Sequence, residues 1–159
     1  MGTRMVFLVL FLLGSNAWAT ADATCHLNDC FRNGWTVSSI QGSSTVTCLG
    51  GDCVNTGWTI RDLANRTMTG QCKPGGCFVT GWFEQQQYYP YQGYETFCKA
   101  GGCMLGGWTT YSFGQPVLDV TCLNGSCTRF GWNTYTGGMY SQAQCKGADC
   151  FRYGWTIYP

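Results

Sequence analysis

Histidine is almost missing from this chain: His26 is the only one in 159 residues. One imidazole, placed among turn-forming residues, offers little to general acid–base chemistry. No nucleophile elbow, HExxH helix or phosphate-binding glycine loop is present either. Charge is thin as well, with only 11% Asp, Glu, Lys and Arg. Its cations are scattered, which argues against nucleic-acid binding driven by phosphate neutralisation and against anionic membrane surfaces. The eight carboxylates (Asp22, Asp29, Asp52, Asp62, Glu84, Glu95, Asp119 and Asp149) show no spacing that marks a glycosidase pair. The chain therefore reads as a non-enzyme with no cofactor and no metal.

Other scarcities constrain the fold. Leu, Ile, Val and Met are few after the leader, so a core must be built from rings and sulfur. Glycine interrupts every stretch that might carry a 3.6-residue apolar rhythm, which removes helices as the main element. Beyond residue 19 no segment approaches the roughly twenty apolar residues of a membrane-spanning helix.

The leader is distinct. Arg4, the apolar stretch from Met5 to Leu13 and Ala17-Trp18-Ala19 match a secretory signal peptide over residues 1–19, with cleavage before Thr20. The mature chain, residues 20–159, is then expected to be a secreted, extracellular repeat domain. Without Arg4 the nine basic residues become eight, which balance the eight acidic ones.

Six copies of Cys-x4-Cys-x3-Gly-Trp fill that mature chain and use all twelve cysteines. They begin at Cys25, Cys48, Cys72, Cys98, Cys122 and Cys145, at intervals of 23, 24, 26, 24 and 23 residues. A fixed period in the twenties marks an array of one supersecondary unit. In an oxidising compartment an even, regular cysteine count reads as a disulfide framework. Zinc held by thiolates from two repeats is the rival chemistry. The local pairing expected is Cys25–Cys30, Cys48–Cys53, Cys72–Cys77, Cys98–Cys103, Cys122–Cys127 and Cys145–Cys150, against a ladder between neighbouring repeats. Each short loop so closed contributes about 2 kcal/mol in the chain-entropy account.

The residues between paired cysteines are turn formers, as in Lys73-Pro74-Gly75-Gly76, and β-type segments such as Ser44-Thr45-Val46-Thr47 flank the units. These signals predict an all-β chain of six tandem hairpin repeats of ~24 residues, each stapled by its own disulfide. The cysteines would face each other at the base of each tip. The hairpins form an antiparallel meander as an open sheet, sandwich or closed barrel, with a β-solenoid as the alternative. The glycine before each tryptophan marks a close neighbour, such as the ring or disulfide of the next repeat.

Three features are candidates for binding. The repeat tryptophans, represented by Trp58, Trp108 and Trp132, form either a buried row or an exposed platform for sugars. The longest linker carries Tyr88, Tyr89, Tyr91 and Tyr94 among amides. Those rings are suited to recognition or to covering a sheet edge. Sequons at Asn65 and Asn124 are candidate glycosylation sites. The expected function is recognition of a glycan or cell-surface protein by a rigid secreted scaffold. The alternative is self-association into a matrix, coat or adhesive layer.

Overall fold

A computed structural model describes residues 20–159 except Tyr88, with the backbone alone at 89–92. The signal-peptide expectation for residues 1–19 lies outside the described residues. Twelve antiparallel strands follow in chain order and close into a barrel, β12 returning to pair with β1. They are β1 (Ala21–Cys25), β2 (Trp35–Ser39), β3 (Gly42–Cys48), β4 (Trp58–Arg61), β5 (Thr67–Cys72) and β6 (Gly81–Gln86), then β7 (Tyr89–Cys98), β8 (Trp108–Ser112), β9 (Gln115–Cys122), β10 (Trp132–Thr136), β11 (Met139–Cys145) and β12 (Trp155–Tyr158). The meander of disulfide repeats is thus a closed barrel and not a solenoid.

All six local disulfides form, with Cα–Cα distances of 4.4–4.6 Å and no cysteine left over. No thiolate remains for zinc. The hairpin around each staple differs from the sequence expectation. The first cysteine faces the tryptophan, as in Cys25↔Trp35 and Cys122↔Trp132, and not the second cysteine. The second cysteine sits off the sheet at the start of a helical turn, for example Cys30–Asn33 and Cys150–Tyr153. The residue before it explains why. Asp29, Asp52 and Asp149 turn their carboxylates onto the next free N–H groups, from Arg32, Val54 and Asn55, and Phe151. This is N-capping. The whole nine-residue segment between Cys and Trp is therefore the connection, and the disulfide cinches its first half.

Each connection ends in the glycine that precedes tryptophan. At all six the backbone has positive φ, from +81° to +121°, and an added Cβ would lie 2.0–2.1 Å from a carbonyl oxygen two residues before the following repeat's first cysteine. For Gly34 that oxygen belongs to Val46, and for Gly154 it belongs to Ala23, which closes the ring. The close neighbour is thus backbone, not a ring or a disulfide. The disulfides follow the same cyclic logic. The Sγ of each first cysteine rests 3.3–3.8 Å from the carbonyl oxygen of the preceding repeat's second cysteine, Cys25 against Cys150 included. A disulfide sulfur carries no proton, so this is packing rather than hydrogen bonding.

The six repeat tryptophans point inward and are buried. Each faces a smaller residue of the next repeat: Val46, Gly70, Thr96, Val120, Ala143 and, across the closure, Ala23. Large rings thus alternate with small partners around one layer. Trp58, Trp82, Trp108, Trp132, Trp155 and Trp35 follow one another at 5.2–6.1 Å between centroids. Tilted contacts of this kind contribute about 0.5–1.5 kcal/mol each beyond burial. Phe31, Phe78 and Phe151, from the helical turns, meet above them at the loop end, where Phe31 stacks on Phe151 at 4.5 Å. This aromatic layer replaces the missing aliphatic core.

Candidate functional site

Repeats three and four break the pattern. After the repeat tryptophan comes Thr36, Thr59, Thr109, Asn133 or Thr156, but Phe83 in the third unit. Before the first cysteine stands Thr24, Thr47, Gln71, Thr121 or Gln144, but Phe97 in the fourth. Strand alternation turns both rings outward, and both are about two-fifths exposed.

They flank a charged pair. The Lys73 ammonium lies 3.1 Å from the Phe97 ring centre, 4.9 Å from that of Phe83, and 3.0 Å from Glu95 Oε1. Phe83, Glu95 and Tyr111 stand directly across from one another on β6, β7 and β8. Tyr111 meets Phe97 edge-on at 5.8 Å. One row further on, Gly93 faces Gln85, and the register shifts at Gln85/Gln86 and Thr110/Tyr111. With no side chain at Gly93 a groove of about 350 Å³ opens. Phe83, Gln85, Glu95, Phe97, Tyr111 and Phe113 form its walls. Phe113, in the β8–β9 turn, stands out into solvent.

Beneath this surface the barrel interior is also exceptional. Val37, Ile60, Thr110, Thr134 and Ile157 occupy the second position after tryptophan in five repeats, and Glu84 occupies it in the third. Glu84 is 1% exposed. Its Oε1 accepts a 3.2 Å hydrogen bond from the Trp58 indole, whereas Oε2 has no partner among the described residues. The Trp82 indole faces the same carboxyl but falls short of hydrogen-bond geometry. Burial pushes this carboxyl up to about 7, and the two indole N–H groups only partly offset it. Gly70 makes the Trp58 bond possible: a Cβ there would sit 2.5 Å from the indole nitrogen.

The tyrosine linker divides. Tyr94 faces into the barrel and is buried. Burial, and then the Glu84 charge across the ladder, push its phenol up to about 12. It is not an external binding ring. Tyr88 lies outside the described residues, as do the side chains of Tyr89 and Tyr91 on β7. The inward turn of Trp58, Trp108 and Trp132 likewise removes them as an external sugar platform. Asn65 and Asn124 are exposed, Asn65 in the β4–β5 turn and Asn124 in a disulfide loop. His26 is held structurally: Nδ1 lies 3.0 Å from the Asn33 carbonyl oxygen and Nε2 2.8 Å from Thr36 Oγ1.

Among the described residues no helix is long and apolar enough to cross a membrane. Outward strand positions such as Thr36, Thr45, Thr47 and Thr59 are polar. Six disulfides in such a domain are consistent with an extracellular setting. Compared with known proteins, no family model, no curated protein and no solved structure matches the chain.

Proposed function

We propose that this is a secreted, non-catalytic glycan-recognition protein whose binding site is the outer groove on β6, β7 and β8. The observation that carries this reading is the groove's make-up: aromatic rings, a carboxylate and an amide placed side by side on a rigid sheet. Sugar rings offer an apolar C–H face and a hydroxyl edge. Phe83, Tyr111 and Phe113 suit the first, and Glu95 and Gln85 suit the second. Lys73 holds Glu95 in place and balances its charge, so a neutral sugar fits the site better than a strongly anionic one. The disulfide loops keep the sheet from rearranging, which lowers the ordering cost of binding.

Self-assembly would be favoured by free sheet edges and by the balanced charge of the chain. Closure between β1 and β12 leaves no such edge, and this favours recognition over assembly. A glycan array followed by titration calorimetry tests the proposal. The protein should bind at least one neutral glycan. The doubly substituted F83A/Y111A protein should lose at least tenfold in affinity while keeping its melting temperature within a few degrees. An array without a hit, or an affinity unchanged in the double variant, overturns the proposal.

A further inference from the structure

A second feature lies inside the barrel and does not depend on the outer groove. All six repeat tryptophans, with Phe78, Phe151, Met104 and Glu84, line a central cavity of about 60 Å³. A single water needs roughly 10–15 Å³ by this kind of measure, and a cavity of about 150 Å³ admits benzene. The space therefore suits a guest of only a few heavy atoms.

Its chemistry is lopsided. Among the described residues Glu84 is the sole ionisable one of the lining, and one of its oxygens has no partner there. No described lysine, arginine or histidine lines the cavity with it. Tyr94, its cross-strand neighbour, is an acid of still higher pKa and brings no positive charge. A buried carboxylate without a counter-charge is costly, and aromatic rings attract cations through their π faces.

We propose that the barrel interior binds a small organic cation of methylammonium size, paired with the Glu84 carboxylate inside the box of aromatic rings. The buried, unpartnered indole N–H groups of Trp35, Trp82, Trp108, Trp132 and Trp155 raise the rival of an anion. The carboxyl in the same cavity opposes one, and opposes it more strongly once ionised. Binding a cation shifts Glu84 to its charged form. Below neutral pH each cation bound therefore displaces up to one proton from the carboxyl to buffer.

Methylammonium chloride is the probe, followed through tryptophan emission and by calorimetry in two buffers of different ionisation enthalpy. Sodium chloride controls for ionic strength. At pH 8 the emission should change saturably with methylammonium and not with sodium. The affinity should fall by roughly thirtyfold at pH 5.5, as expected for a carboxyl titrating near 7. Calorimetry at pH 6.5 should show proton release. Glu84→Gln should remove the response. If that variant does not fold, Met104→Phe, which fills the cavity and leaves Glu84 in place, should remove it instead. Three results overturn the inference: no saturable response of the native protein at pH 8, an equal response in a folded Glu84→Gln or Met104→Phe variant, or an equal saturable response to sodium chloride, which would assign the site to the shared chloride.

Discussion

The β2–β4 wall and the β6–β8 wall of the barrel share one scaffold and little else. Both begin with a cysteine facing a tryptophan and a glycine seated on a neighbouring carbonyl. Beyond that layer the first wall is mostly apolar inside, with Val37, Val46 and Ile60 beside one buried hydroxyl, Ser44, and it carries Thr36, Thr45 and Thr59 outside. The second places Glu84, Tyr94, Thr96 and Thr110 inside, where the two threonines share a 2.8 Å hydrogen bond. Outside it carries Phe83, Glu95, Phe97 and Tyr111, and both of the barrel's described register shifts fall within it or at its β8–β9 border. The contrast shows where a repeat protein has room to specialise. The disulfide and glycine layer fixes the backbone, so rows further from the loops can lose apolar residues without losing the fold.

Breaking the shared layer should hurt both walls alike and most severely. Gly34→Ala and Gly107→Ala each force a Cβ to about 2 Å from a carbonyl. Each should cost at least ~3 kcal/mol or prevent folding, as measured by denaturant unfolding. Gly114→Ala, at positive φ but with nothing within 4 Å, should cost only ~1–2 kcal/mol. A mild loss at Gly34 or Gly107 would show that the scaffold yields.

The inner difference is tested by pH. The Glu84 carboxyl has an ordinary value of 4.5 and is raised to about 7 in the fold. The folded state therefore holds the proton more tightly than the unfolded chain does. Its stabilising effect is complete below pH 4.5 and is lost as pH rises through 7, a fall of about 3 kcal/mol. Glu84→Gln should flatten that part of the stability–pH curve, whereas Ile60→Val, in the other wall, should leave its shape unchanged. Gly70→Ala, which displaces the Trp58 indole from the carboxyl, should move the midpoint higher.

The outer difference is smaller. Lys73 is nearly buried between two rings, whereas the similar pair Lys146–Asp22, at 2.7 Å, is open to solvent. Lys73→Met should cost about 1–2 kcal/mol, and Lys146→Met at most ~0.5 kcal/mol. Thermal unfolding in low and high salt separates them, with the Lys146 effect alone vanishing in salt. Equal costs would mean that the aromatic flank adds nothing.

Much of the scaffold was legible from spacing. Cys-x4-Cys permits a tight local closure and favours it over a ladder between repeats, and six repeats demand an array. The hairpin geometry is not legible from spacing, because glycine-rich residues between the cysteines resemble a tip. The corrective signal was in the chain: Asp29-Cys30 followed by Gly34 has the form of an N-cap and a helix-ending glycine around one turn. The candidate groove was legible in part. Phe83 and Phe97 stand out against threonine or polar residues in the other repeats, but they join one surface with Tyr111, Glu95 and Lys73 only through strand register. The tyrosine linker drew attention by composition, yet pleat parity sends Tyr94 inward.

By itself the sequence determined the repeat and the β character and favoured local staples over a ladder, because cysteine spacing and glycine are local constraints; the fold decided that each disulfide closes within its own unit. Tertiary structure alone decided that the sheet closes, that the tryptophans face inward, and that Glu84 and Phe83, adjacent in the chain, serve opposite sides of one wall. Those outcomes follow from closing twelve strands on themselves: only then does each position acquire an inside and an outside, and only then does a carboxyl find itself among rings with no charge to answer it.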